Sequence, residues 1–134
     1  MSAAQQLNHY LAYYGRRLNL NLGLKNGVCA LVEHQREIAV IELPPDSDCI
    51  IFHCKIASLI GTSEPYLRML LALNFEMDAM RGCWLATDGD EGLRLCTQLP
   101  LAGLDADRFS SMLDGFINQV RDVGEFLAEN RAVA

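Results

Sequence analysis

The sequence predicts an α+β fold in which a twisted, antiparallel five-stranded sheet carries three helices in the order α-β-β-β-α-β-β-α. Two patterns predict this order: apolar residues at helical spacing in three segments, and strand-length apolar runs between them, bounded by turn residues. The chain has 134 residues and is 51% hydrophobic. We therefore expect residues 1–134 to form a single domain with a substantial core.

The first half reads as one helix followed by three strands. A helix is predicted over about residues 3–18 from apolar positions at helical spacing, namely Leu7, Tyr10, Leu11, Tyr14 and Leu18. Strands are predicted over 27–32, 37–43 and 49–57. A turn at residues 34–36 and a loop with two prolines at residues 44–48 separate them.

The second half alternates helix, hairpin and helix with little chain between them. A helix is predicted from Ser63 to about Met80, because a hydroxyl N-cap and an early proline precede helically spaced apolar residues. Strands over 82–87 and 92–99 are joined by the turn 88–91 into a β-hairpin. Asp105 is a good N-cap for a long final helix, whose apolar stripe is formed by Phe109, Met112, Leu113, Phe116, Ile117, Val120 and Leu127.

Several of these segments resemble a known family, the Tir-chaperone (CesT-like) type of type III secretion chaperones. The resemblance lies in the helix end Leu-Leu-Ala-Leu-Asn-Phe at 70–75, the strand 82–87 with its acidic turn, and two short motifs, Gln-Leu-Pro-Leu at 98–101 and Gly-Leu-Asp at 103–105. These motifs describe packing and turns, and none of them is catalytic.

The resemblance implies a small acidic homodimer that is not an enzyme and needs no cofactor. Such a chaperone would bind the N-terminal segment of a secreted effector in extended form, partly by β-augmentation, and keep it soluble and competent for secretion. It implies a bacterial cytoplasmic location and names the secretion ATPase as a further candidate partner. The alternative is a regulatory or adaptor dimer of similar fold that binds a folded protein.

Aliphatic residues on both faces of the first two strands suggest a partner-binding surface. Helices that cover one side of a sheet leave the other side to be explained by a partner, by more of the chain's own core, or by an exposed patch. Because the resembling chaperones present apolar sheet and helix surfaces to their effectors, we expect the partner-binding residues to be Leu31, Val40 and Ile41 of the strands and Leu11 and Tyr14 of the first helix.

The resemblance also places the dimer contact on the helix that starts at Ser63 and on the following strand. The expected interface residues are Leu67, Leu70, Leu71 and Trp84. Large aromatic side chains often dominate such contacts, so Trp84, the single tryptophan, is the expected anchor. The alternative is that its indole packs inside its own monomer.

Charge and composition argue against several other classes. The net charge is −6, and residues 61–134 carry six basic and twelve acidic side chains, so no nucleic-acid partner is expected. No segment approaches the roughly 20 apolar residues of a membrane span, and the N-terminus lacks the pattern of a signal peptide. We therefore expect a cytoplasmic protein that does not insert into membranes.

Catalytic and metal sites are not predicted either. The five cysteines include no Cys-x-x-Cys pair, and His53 and Cys54 would point to opposite faces of a strand. A pairing of a cysteine with His9 or His34 stays open from sequence. The series Asp88-x-Asp90-x-Gly92 resembles the start of a calcium loop but lacks the later ligands, so we expect a solvated turn and no metal.

Overall fold

A computed structural model describes residues 1–131 of the chain. The helices are α1 (Ala3–Arg16), α2 (Glu64–Leu73), α3 (Met77–Met80) and α4 (Ala106–Asn130). The strands are β1 (Val28–Glu33), β2 (Arg36–Glu42), β3 (Cys49–Ser58), β4 (Trp84–Thr87) and β5 (Gly92–Pro100). This is the predicted α+β order; residues 132–134, the end of the predicted single domain, lie outside the described residues.

The predicted helix from Ser63 to Met80 is in fact two helices. Ser63 caps α2 as expected, accepting a hydrogen bond from the N–H of Tyr66, but the helix ends at Leu73. After Leu73 the chain forms a tighter turn, in which the N–H of Phe75 donates to the carbonyl of Ala72, three residues earlier, at 3.0 Å. A short α3 follows and ends where Arg81 adopts the left-handed conformation, so the chain turns into β4.

The end of α1 is set by a close backbone approach. The N–H of Leu20 donates to the carbonyl of Gly15 at 2.9 Å, and Asn19 between them has a positive φ of 56°. This is the hydrogen bond of a helix C-cap with a left-handed residue. A Cβ on Gly15 would lie 2.5 Å from the carbonyl oxygen of Leu20, so glycine is required there. The helix therefore ends earlier than residue 18.

The strands form one antiparallel sheet in the spatial order β1-β2-β3-β5-β4, so β1 and β4 are its two edges. A register irregularity of the β-bulge type lies between Leu31 and Val32 of β1. The turn before β1 is tight: Lys25 and Val28 exchange two backbone hydrogen bonds, of 2.8 and 3.1 Å. Asn26 and Gly27 between them both have positive φ, as a two-residue hairpin turn requires.

Alternation along the strands sorts the side chains onto two faces, as the sequence predicts. We call one the helix-covered face, because α1 and α4 pack on it, and the other the open face. The helix-covered face carries the buried side chains Cys29, Leu31, Ala39, Ile41, Ile50, Phe52, Cys54, Leu85 and Leu95. One row across the open face is formed by Ala30, Val40, His53, Cys96 and Trp84.

An aromatic cluster joins the helices to the helix-covered face. Phe109 of α4 stacks on Tyr10 of α1 and meets Phe52 of β3 edge-on, each with ring centroids 5.8 Å apart. The hydroxyl of Tyr10 donates to the carbonyl of Leu104 at 2.6 Å. The polar end of the ring is thus satisfied while its body is buried, and α1 is fixed against the start of α4.

Candidate partner-binding surfaces

The five residues predicted to bind a partner are all buried in the chain's own structure. They are Leu11, Tyr14, Leu31, Val40 and Ile41, and none has more than 6% of its surface exposed. Whether any of them contributes to binding stays a prediction, but none offers an accessible surface in the structure described.

Their burial follows from the face on which each residue lies. Leu31 and Ile41 point to the helix-covered face and join the core beneath α1. Tyr14 of α1 packs in the same core and donates its hydroxyl proton to Asp114 of α4 at 2.7 Å, which holds the two helices together. Burial and the Asp114 carboxylate both raise the pKa of Tyr14. Val40 is also buried, although it lies on the open face.

The centre of the open face is polar. His53 of β3 contacts Glu42 of β2 through Nε2 at 2.9 Å and Arg94 of β5 through Nδ1 at 3.1 Å. Arg94 also donates from Nε to Asp88 at 3.0 Å and lies 3.5 Å from Glu37. Because an arginine can only donate, Nδ1 of His53 accepts, and the ring proton sits on Nε2 and points to Glu42.

The exposed large apolar side chains of the open face lie on its two edge strands. Val28 and Val32 of β1 are 38% and 48% exposed, and Trp84 of β4 is 39% exposed. Val28 and Val32 were not predicted as candidates, because the first two strands are aliphatic on both faces and their sequence does not show which face is exposed. The alternation itself, once the covered face is known, would have selected them.

The outer edge of β1 is open beyond its first residue. Hydrogen-bonding direction alternates along a strand, and Val28 bonds outward to Lys25. Ala30 therefore also directs its N–H and carbonyl outward, while Cys29 and Leu31 bond to β2. Within residues 1–131 no strand pairs with this edge after Val28. Ala30 is exposed, so a short row of backbone groups faces solvent.

The outer edge of β4 is closed by one side chain. The N–H of Leu85 donates to Oδ1 of Asn74 at 2.7 Å, and Nδ2 of Asn74 donates to the carbonyl of Leu85 at 3.3 Å. Just before the strand, the N–H of Cys83 donates to the carbonyl of Met80 at 3.0 Å. The central residue of β4 thus has both backbone groups occupied by the carboxamide that follows α2.

The predicted dimer residues divide between surface and core. Leu67 and Leu71 of α2 are 41% and 71% exposed, and Trp84 is partly exposed, whereas Leu70 is buried against the core. Phe75, after the end of α2, is also exposed and continues the stripe of Leu67 and Leu71 at helical spacing. We call Leu67, Leu71, Phe75 and Trp84 the α2–β4 surface.

Four of the five cysteines do not have the properties of catalytic nucleophiles. Burial raises the pKa of Cys83 to about 11, and burial also raises the pKa of Cys29, Cys54 and Cys96. A nucleophilic cysteine needs the opposite shift, since the thiolate is the reactive form. His53 and Cys54 point to opposite faces of β3, as predicted.

The structure adds two findings about sites and membranes. Among residues 1–131, no three His, Cys, Asp or Glu side chains are grouped so that they could hold a metal ion. Asp88 instead accepts hydrogen bonds from the N–H groups of Asp90 and Gly92 and pairs with Arg94. Within the described residues no helix is both long and apolar enough to cross a bilayer.

Fold and surfaces together define a small α+β protein with a half-covered sheet, one open strand edge and an exposed apolar helix stripe, which is the build of a protein-binding domain. The chain belongs to the Tir chaperone protein (CesT) family, whose model matches residues 9–123. It is thus a member of the type III secretion chaperones. No curated protein matches the sequence.

Solved structures share the fold at low sequence identity. The ExsC–ExsE complex matches with a TM-score of 0.78 and 17% identity, covering 98% of this chain and 97% of that one. The HopA1–SchA chaperone–effector complex matches with a TM-score of 0.69 and 14% identity over 90% and 96% of the chains. The ExoU–SpcU complex of the Pseudomonas aeruginosa type III secretion system matches with a TM-score of 0.65 and 18% identity, covering 96% of this chain and 99% of that one.

Proposed function

We propose that the protein is a cytoplasmic type III secretion chaperone that binds the N-terminal segment of a secreted effector in extended form and keeps it competent for secretion. Membership of the family and the likeness to chaperone–effector complexes support this. The observation that carries the proposed binding mode is the β1 edge, where backbone groups from Ala30 onward lack a strand partner.

An extended segment added at this edge would gain on two counts. Its backbone would pair with the outward N–H and carbonyl of Ala30, and its side chains would cover Val28 and Val32 on the open face. Backbone pairing gives affinity with little sequence dependence, while alternate side chains give specificity. The bulge after Leu31 twists the edge, so the added strand is short.

We further propose that the chaperone is a homodimer joined through the α2–β4 surface. Leu71 and Phe75 are among the most exposed large apolar side chains of the described residues, at 71% and 78%. Grouped apolar exposure of this kind marks an interaction site. In this arrangement the two β1 edges remain free for an effector. The secretion ATPase stays a further candidate partner, for which no contact is assigned.

The test compares two substitutions at one position. Proline at Ala30 removes the outward N–H and places its ring on the edge, whereas valine keeps the N–H and is a good strand residue. The probe is the N-terminal segment of the secreted protein encoded beside this chain, co-expressed with each variant. We expect Ala30→Val to retain the segment and Ala30→Pro to lose it, with both variants folded by circular dichroism.

Two results would contradict the proposal. Retention of the segment by a folded Ala30→Pro variant would remove the β1 edge as the site. A captured partner that is compact and resistant to limited proteolysis would instead favour the regulatory or adaptor alternative, because an effector segment held in extended form is cut readily.

A further inference from the structure

The two edges of the sheet differ in a way that determines where a strand can be added. An incoming strand must find free N–H and carbonyl groups that point outward from the edge. At β4 the central outward-facing residue is Leu85, and both of its groups bond to the Asn74 carboxamide, at 2.7 and 3.3 Å. At β1 the corresponding groups of Ala30 have no strand partner.

Asparagine can occupy both backbone groups of Leu85 for a chemical reason. A carboxamide carries one acceptor oxygen and a donor NH2, so a single short side chain can satisfy an N–H and a carbonyl of the same residue. Aspartate could accept from the N–H of Leu85 but could not donate to its carbonyl. Leucine or alanine could do neither. The side chain thus imitates the backbone of a neighbouring strand.

Anchoring α2 to the sheet does not by itself require this contact. Tyr66 and Leu70 of α2 are already buried in the core, at 4% and 5% exposure. Asn74 has helical φ and ψ, and its own N–H bonds to the carbonyl of Leu70 at 3.3 Å. A helix-favouring residue such as alanine would suit that backbone equally well. What only the carboxamide supplies is closure of the β4 edge.

We propose that Asn74 acts as an edge block: it closes β4 to strand addition, whether by an extended partner or by another copy of this chain, and leaves β1 as the edge at which an extended partner can pair. This inference rests on the proposed strand addition at β1. Its test uses the free protein without any effector, so failure of the edge block and failure of the proposed function are seen in different measurements.

The first measurement compares the wild type with Asn74→Ala and Asn74→Asp. The alanine variant frees both groups of Leu85, so we expect hydrogen exchange at the Leu85 amide to accelerate by about tenfold or more. Sedimentation velocity should show species larger than those of the wild type at the same concentration. The aspartate variant keeps the N–H bond and should give smaller changes in both.

A second substitution separates an open edge from a loosened fold. Thr87 lies exposed at the end of β4, and a lysine there should discourage edge-to-edge pairing without restoring any bond to Leu85. We expect Asn74→Ala combined with Thr87→Lys to return to the wild-type size distribution, while exchange at Leu85 stays fast.

Three outcomes would overturn the inference. One is a folded Asn74→Ala protein with wild-type size and wild-type exchange at Leu85. Another is larger species that Thr87→Lys does not remove, because association would then come from exposed core. If Asn74→Ala fails to fold, the aspartate variant decides, and a size distribution equal to that of the wild type would count against the edge block.

Discussion

The two edge strands of the sheet, β1 and β4, both direct backbone N–H and carbonyl groups outward, but the hydrogen-bond partners of these groups differ. At β1 a tight turn occupies Val28 alone, and the strand is open from Ala30 onward. At β4 one carboxamide occupies the middle of a strand only four residues long. The difference teaches that a single carboxamide can occupy on one edge the kind of backbone groups that the other edge leaves to solvent.

The largest expected effect concerns neighbouring residues on β1. Leu31 is 1% exposed and packs in the core, whereas Val32 is 48% exposed. Leu31→Ala should lower the free energy of unfolding by about 2 to 5 kcal/mol, as for other buried leucines. Val32→Ala should change it by less than about 0.5 kcal/mol. Urea unfolding followed by circular dichroism measures both.

The same two substitutions test which side chains of β1 belong to the core and which to the surface. If the two substitutions destabilise the protein equally, Val32 is not a surface residue and the open edge is narrower than described. If Leu31→Ala leaves stability unchanged, its side chain is not part of the core, and this result would support the prediction that Leu31 binds a partner.

The β4 side of the comparison is tested by Trp84→Ala. In the proposed homodimer the indole flanks the shared surface, so its removal should weaken the dimer by about 2 kcal/mol or more if it is a hot spot. Met112→Ala is the control, since Met112 has the same exposure of 39% but lies on α4. Sedimentation equilibrium gives both dissociation constants.

The same experiment also tests whether the protein is a homodimer. A wild-type mass near 14.9 kDa at micromolar concentration would contradict it. Loss of folded signal in Trp84→Ala, with no change in the balance between monomer and dimer, would place the indole in the monomer's own packing. That is the alternative left open by the sequence.

The order of helices and strands could be predicted from sequence because each segment carries a local signal. Ser63 and Asp105 cap their helices as expected, and the turn at His34 and Gln35 has the positive φ values of a hairpin. The split of the middle helix was missed, since nothing local marks Asn74 as a stop. The partner of its carboxamide is the backbone of Leu85, eleven residues later, and a local sequence pattern does not show this contact.

The candidate site was harder to predict for a related reason. Alternation shows which residues share a face but not which face the helices will cover. Leu31 and Val32 are both aliphatic, and only the packing of α1 and α4 makes one core and the other surface. The predicted dimer residues mix surface and core in the same way, because Leu67 and Leu71 are exposed whereas Leu70, predicted with them, is buried.

The smallest expected effect concerns the turn that ends β4. The carboxylate of Asp88 accepts the N–H groups of Asp90 and Gly92, at 2.9 and 3.0 Å, and the Nε of Arg94 at 3.0 Å. The Asp90 N–H is the largest of these influences, and together they hold the pKa of Asp88 below its ordinary value of 3.8. A Cβ on Gly92 would lie 2.4 Å from this carboxylate, so the turn is built around it.

A depressed pKa in the folded state means that Asp88 stabilises the fold above its unfolded pKa. That stabilisation is lost as the pH falls through the lower, folded pKa. Asp88→Asn should therefore show a smaller loss of stability below about pH 4 than the wild type in urea unfolding at a series of pH values. Asp90→Asn is the control in the same turn, because Asp90 contacts Asp88 through its backbone and not its side chain. Equal acid sensitivity of the wild type and Asp88→Asn would contradict this prediction, because it would show that ionisation of Asp88 does not contribute to the stability of the fold.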